Sequence, residues 1–263
     1  MIIDVLDKKI RNAFSGAAMK YEMLTSLHKE IGRELTKKIM NHEPCSTILD
    51  IGMGTGWFTQ RLTNIFPESV IVGLDFASGM IDRAQEKEAT YKIVQADASK
   101  LPFKEGAFDI ITSNLAYQWV ENLAQAFELC HLRLNKTGTL CLTMFGRDTF
   151  HELFTALEKC AQEGDQKREL SIRRLANKDQ VIDALKHAGF IHIKVSAERI
   201  KVRFEDMMNM IKWVKDIGAN TLVKDTYMGK DLLLRTNEYY NANYQDRLGI
   251  YATFELIWVE AKR

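Results

Sequence analysis

Apolar residues return along this chain in two rhythms. Short, nearly continuous runs ("STILDIG", "SVIVGLDF", "YKIVQAD", "FDIITSNL" and "GTLCLTMF") alternate with segments whose apolar residues recur at helical spacing. The runs predict buried strands, and the spaced segments predict amphipathic helices. Residues 8 to 40 read as helical, with Phe14, Ala17 or Ala18 and Tyr21 on one stripe, then Leu27, Ile31, Leu35 and Ile39. "GWFTQRLTNIF" predicts a helix ending near Pro67, "SGMIDRAQEKE" one capped by Ser78, and "LAQAFELCHLRL" one between the last two strands. Strands apolar on both faces and alternating with helices mean a parallel sheet covered on both sides, a doubly wound α/β fold. "NKDQVIDALKHAGF" adds a helix, and "IHIKVSAERIKVRF" and "IYATFELIWVEAKR" bring the sheet to seven strands. Residues 146–173 and 205–247 break the rhythm and predict helical insertions capping the strand ends. Residues 1–44 precede the first strand as a helical lid.

The first strand runs into "DIGMGTG", with Gly52, Gly54 and Gly56 at every second position behind Asp50. In open α/β sheets, ligands lie beyond the carboxyl ends of the strands, where the first strand turns into its helix. Glycine permits unusual backbone angles there and lets a ligand approach the main chain. Two cofactor classes use such a loop: dinucleotides and S-adenosylmethionine (SAM). Trp57 stands where the third glycine of a dinucleotide fingerprint would fall, which weakens the first class. A tight turn without a ligand is the third possibility. Asp75, followed by Phe76, closes the second strand about 20 residues on, where an acid can accept both ribose hydroxyls. That placement supports a nucleoside without choosing between the two classes. Asp97 ends the third strand beside Ala98, suited to an adenine amino group and ring nitrogen, or equally to an Asx turn. Asn114 ends the fourth strand and brings its backbone and Gln118 toward the reactive end of the ligand.

Composition narrows the classes further. At 263 residues, one domain with an elaboration is expected. The 36 Lys and Arg against 35 Asp and Glu leave a charge of +1, unlike the basic face of a nucleic-acid binder. No apolar run approaches the ~20 residues of a membrane helix, and no signal peptide is visible at the start. The four cysteines lack metal or redox spacing, which suits reduced thiols in a cytoplasmic protein. "HELFT" is not a zinc motif, and the scattered histidines suggest no metal.

"LDIGMGTG", "GLDFASGMIDRA", "ADASKLPF" and "FDIITSNLAYQWV", in that order, resemble the signature series of class I SAM-dependent methyltransferases over residues 45–145. The resemblance implies a Rossmann-like methyltransferase core with SAM held by Asp50, Gly52, Gly54, Gly56, Asp75, Phe76, Asp97, Ala98 and Asn114. "IRNAFSGAAMKYE", "SNLAYQWVENL", "TMFGRDTFHEL" and "IKWVKDIGANT" extend it to the malonyl-acyl carrier protein O-methyltransferases of biotin synthesis, the BioC type. That family methylates the free carboxylate of malonyl-acyl carrier protein. The resemblance therefore implies an acidic carrier-protein partner, or malonyl-CoA in its place. A different small acid, a quinone, or a non-methylating assembly role on the same fold are the alternatives. Where the family often has Gln after the N-terminal tyrosine helix, this chain has His28.

Candidate substrate-positioning residues are Tyr21, Gln118, Trp119 and Arg147. Tyr21 belongs either to a lid over the methyl donor or to the Phe14 packing stripe. Trp119 either walls the cavity or fills the core. Arg147 either forks onto a carboxylate or is solvated. A basic dock for the carrier protein would draw on Lys167, Arg168, Arg173 and Arg174, and on Lys212 and Lys215. The opposite face of that last helix (Phe204, Met207, Met208, Ile211, Val214) either lines a channel or packs on the core.

Overall fold

Strand β1 (Thr47–Ile51) is buried along nearly its whole length and ends at the glycine loop that leads into the next helix. In this computed structural model, which describes residues 2–42, 45–87, 90–163, 172–219 and 229–263, two helices come first. They are α1 (Ile2–Leu24) and α2 (Ser26–Ile39). After β1 follow α3 (Trp57–Ile65), β2 (Val70–Asp75), α4 (Ser78–Gln85), β3 (Lys92–Gln95) and β4 (Phe108–Asn114). A single 3-10 turn (Tyr117–Trp119), α5 (Leu123–Arg133), β5 (Leu134–Phe145), α6 (His151–Glu163) and α7 (Lys178–His187) come next. The chain closes with β6 (Ile191–Phe204), α8 (Met207–Asp216), α9 (Lys230–Asn243), β7 (Gln245–Asp246) and β8 (Gly249–Lys262).

The sheet runs β3-β2-β1-β4-β5-β8-β6, seven principal strands, with the two-residue β7 paired to the start of β8. The first five strands are parallel, and β8 and β6 add antiparallel pairs. The sheet grows outward from β1 to β3, then reverses to β4 on the other side of β1. That reversal opens a crevice at the carboxyl ends of β1 and β4, the standard ligand position in such sheets.

One face of the sheet packs under α5 and α7 through Phe127, Leu185 and Phe190, and the other under α2 and α3 through Leu35, Ile39 and Leu62. The insertions join the fold through a third cluster, where Met207 and Met210 of α8 and Tyr240 of α9 meet Phe145 and Phe254 of the sheet. Met208, expected on this apolar face, is 49% exposed, because the face turned inward is that of Met207 and Met210. Cys130, Cys141 and Cys160 are buried free thiols. Among the described residues no helix is long and apolar enough to cross a membrane.

Two local expectations change. The helix read over residues 8–40 is broken at Thr25 (φ −106°, ψ 35°), whose hydroxyl donates to the Tyr21 carbonyl at 2.8 Å. Two directions are needed there, since α1 packs on α4 and α8 while α2 packs on α3 and the sheet. Ser78 is the first helical residue of α4 rather than its cap. The preceding Ala77 N–H is taken by the Asp75 carboxylate at 2.8 Å.

Candidate active site

At the crevice lies a cavity of about 450 Å³, walled by α1, the glycine loop and the ends of β2, β3 and β4. Its volume falls within the roughly 300–1,000 Å³ of small-molecule sites. Gly52, Gly54, Asp75, Phe76, Asp97, Ala98 and Asn114 all line it, together with Tyr21 and Trp119.

The glycine loop is shaped by contacts as well as by angles. A Cβ on Gly52 would meet Ala116 Cβ at 2.2 Å, because the loop after β4 crosses directly over it. At Gly54 (φ +55°) a Cβ would meet only the Tyr21 ring, at 3.9 Å, so this position presents bare backbone to open space. Asp75 fastens the loop, one carboxylate oxygen accepting from the Gly54 N–H at 2.8 Å and the other from Ala77. Burial raises its pKa, while the N–H groups of Ala77, Gly54 and Phe76 oppose the shift. A carboxylate that already accepts from main-chain donors is thus held rigidly in the cavity wall.

Asp97 realises the Asx turn, accepting from the Ser99 N–H at 2.8 Å, and also lines the cavity. The Asn114 side chain bridges two elements. Its amide donates to the His28 carbonyl at 2.9 Å, and its oxygen accepts from the Thr143 hydroxyl at 3.1 Å. Phe76 forms an apolar wall, with the Arg11 guanidinium 5.5 Å from its ring centre.

Asp50 and Gly56 do not line this cavity. The Asp50 carboxylate is buried and accepts from the Thr59 hydroxyl at 2.6 Å, so it ties β1 to the first turn of α3. Burial, and secondarily the charge of Asp75, push its pKa up to about 7 against the opposing Thr59 bond. Gly56 (φ +81°) packs under the Tyr91 hydroxyl, which a Cβ would approach to 1.7 Å.

Past Tyr21 and Trp119 lies a second, smaller chamber lined by Phe14, His28, Phe145, Phe150, Trp213 and Phe254. Tyr21 and Trp119 wall both spaces, and Gln118 lines the chamber but not the first cavity. Trp119 also stacks edge-on with Phe14 at 5.4 Å, so it packs and walls at once. Burial, then the Asp75 charge, raise the Tyr21 pKa and keep its phenol protonated. His28 lies edge-on to Tyr21 and Phe145, each at 5.9 Å, and burial lowers its pKa to about 4. It is neutral at pH 7, and its Nδ1 is buried without a hydrogen-bond partner among the described residues.

Arg147 lines neither space. It follows β5 and donates to the Gln180 side chain at 2.8 Å, on the wall of a neighbouring groove shared with Arg173 and Arg174. Lys212 and Lys215 are exposed on α8, and Lys167 and Arg168 lie outside the described residues. The chamber walls Phe145 and Phe254 were not read as site residues, because a strand's apolar run does not say which end meets a ligand. Trp213 lay in a quoted segment, but nothing in its helical spacing marked its indole N–H, which donates to the Leu24 carbonyl at 2.9 Å.

Residues 49–142 match the family model described as a methyltransferase domain. A malonyl-[acyl-carrier protein] O-methyltransferase from Bacillus cereus is 28% identical, with 95% of each chain covered. The biotin biosynthesis bifunctional protein BioHC of Teredinibacter turnerae is also 28% identical, over 97% of this chain and 47% of that protein. Among solved structures, phosphoethanolamine N-methyltransferase 2 of Haemonchus contortus in complex with S-adenosyl-L-methionine superposes with a TM-score of 0.60. It is 18% identical, over 95% of this chain and 57% of that one.

Proposed function

We propose that this SAM-dependent methyltransferase esterifies the free carboxylate of a malonyl thioester carried on an acyl carrier protein, a step toward biotin. The observation that carries the reading is the paired arrangement of a nucleoside-sized cavity and a smaller aromatic chamber that share the walls Phe14, Tyr21, Leu115 and Trp119. The full-length likeness to malonyl-carrier protein methyltransferases supports the choice of acceptor.

The cavity suits the cofactor. Gly54 leaves its backbone bare, Asp75 offers a fixed acid for a ribose, and Phe76, Leu74 and Met80 provide apolar walls for a flat base beside Asp97 and Ala98. When bound, SAM supplies an electrophilic methyl group on a sulfonium. The acceptor needs no base, since a carboxylate of ordinary pKa near ~4 is ionised at pH 7. Consistent with this, neither Tyr21 nor His28 is poised to titrate near neutrality. The chain's task is to align donor and acceptor, which accounts for much of the acceleration in such displacements. Opposite charges cancel as methyl moves, and aromatic walls that keep water out favour that cancellation. The protonated Tyr21 phenol stands at the border between the two spaces, where it can donate to the carboxylate.

Incubation with methyl-labelled SAM tests the reading against malonyl-carrier protein, malonyl-CoA and free malonate. Label is expected in the carrier-protein ester, removable by mild base. Label confined to free acids or a quinone would replace this acceptor with a small molecule. No label in any acceptor would favour a non-methylating role.

A further inference from the structure

Beside the aromatic chamber runs a groove of about 530 Å³. Among the described residues three guanidinium groups line it, Arg147, Arg173 and Arg174, against one carboxylate, Glu121. The first turn of α7 reaches it through Gln180, which adds the positive end of a helix dipole. Arg173 donates to the Trp119 carbonyl at 2.8 Å and lies over the Trp119 ring, so the groove wall and the chamber wall are braced together. The Arg147 partner is a neutral amide, and Arg174 pairs with Glu158 in an exposed contact that an incoming anion can replace at little cost.

The second observation is Gln118, which is only 6% exposed and lies on the wall common to groove and chamber. Its Nε2 donates to the Leu115 carbonyl at 2.7 Å, while Oε1 is buried with no hydrogen-bond partner among the described residues. A buried acceptor left unpaired costs roughly 1–3 kcal/mol. Its location, between the polar groove and the methyl-transfer chamber, is where a ligand donor would relieve that cost.

We propose that the groove binds the phosphopantetheine arm of the thioester substrate. Arg147 and Arg174 meet its phosphate, and Gln118 Oε1 accepts from an amide N–H of the arm as it passes into the chamber. The inference rests on the thioester reading above and adds where the arm lies. Coenzyme A and a carrier protein present the same arm, so the groove recognises chemistry common to both.

Calorimetric titration tests it without turnover, using enzyme saturated with S-adenosylhomocysteine and two probes: coenzyme A, and pantetheine lacking the phosphate. Coenzyme A is expected to bind at least tenfold tighter. The R147Q/R174Q double variant should weaken coenzyme A at least fivefold more than it weakens pantetheine, and Gln118→Met should weaken both at least threefold. Equal affinities for the two probes, or equal losses in the double variant, would overturn the groove assignment. SAM affinity and the urea midpoint serve as folding controls. In turnover, the KM for malonyl-CoA and malonyl-carrier protein should rise in the double variant more than that for malonyl-pantetheine. Binding as expected with no methylation of any thioester would leave the groove standing and remove the proposed reaction. Methylation with no discrimination by phosphate would do the reverse.

Discussion

Gly54 and Gly56 sit two positions apart in one loop and answer to different neighbours. Both hold left-handed angles, but a Cβ on Gly56 would strike the buried Tyr91 hydroxyl, whereas on Gly54 it would stand in open cavity. Gly56→Ala is therefore expected to lower stability well beyond the ~1–2 kcal/mol of a left-handed L-residue, read as a fall in the urea midpoint. Gly54→Ala should lose about that amount alone, with its larger effect on SAM affinity. Equal stability losses would refute the distinction. Asp75→Ala, which removes the loop fastening and the proposed ribose acceptor, should weaken SAM at least tenfold, about 1.4 kcal/mol, in a calorimetric titration. His28 gives a pH signature. Its folded pKa of about 4 lies below the ordinary value near ~6.5. The unfolded chain therefore takes up a proton first as pH falls, and stability present above ~6.5 is lost on the way down to 4. In His28→Gln the urea midpoint should fall less between pH 7.5 and 4.5 than in the parent chain, and parallel curves would exclude this role. The left-handed glycines, and the placing of Asp75 and Asp97 at or just past strand ends, were legible in the sequence because backbone angle and strand end are local properties. The partners of Asp50, Gly56 and His28 were not, since Thr59, Tyr91 and Phe145 meet them only after folding.

At the scale of elements, α1 is held across the cavity by contacts from three directions. Trp213 of α8 donates to the Leu24 carbonyl, Glu22 accepts from the Thr55 hydroxyl at 2.9 Å and pairs with Lys87, and Ser15 meets the Gly79 N–H at 3.4 Å. Removing the indole donor in Trp213→Phe should speed amide exchange in α1 roughly fivefold, about 1 kcal/mol for one hydrogen bond, with α2 changed less. Equal acceleration in both helices would mean that Trp213 supports the fold generally rather than α1. The alternation of strands and helices was legible because burial on two faces imposes a continuous apolar run. The break at Thr25 was not, because the apolar stripe continues through it and the reason to bend lies in α4 and α8.

The whole molecule shares one core between sheet and cap. Phe254 of β8, 1% exposed, meets Phe145, Phe150 and Trp213 edge-on. Phe254→Ala should cost ~3–5 kcal/mol in urea unfolding as a single transition. A separate early transition for the cap would overturn the shared core. Helices α6, α8 and α9 lie in stretches that were legible as departures from the strand–helix rhythm. Their burial against β5 and β8 was not, because those contacts join distant parts of the chain. Helix α1 is fastened by residues made long after it: Gly79 lies 64 positions beyond Ser15, and Trp213 lies 189 positions beyond Leu24. Translation must therefore reach α8 before α1 can be held across the cavity, and fraying of that one helix would open the cavity while the sheet stays intact.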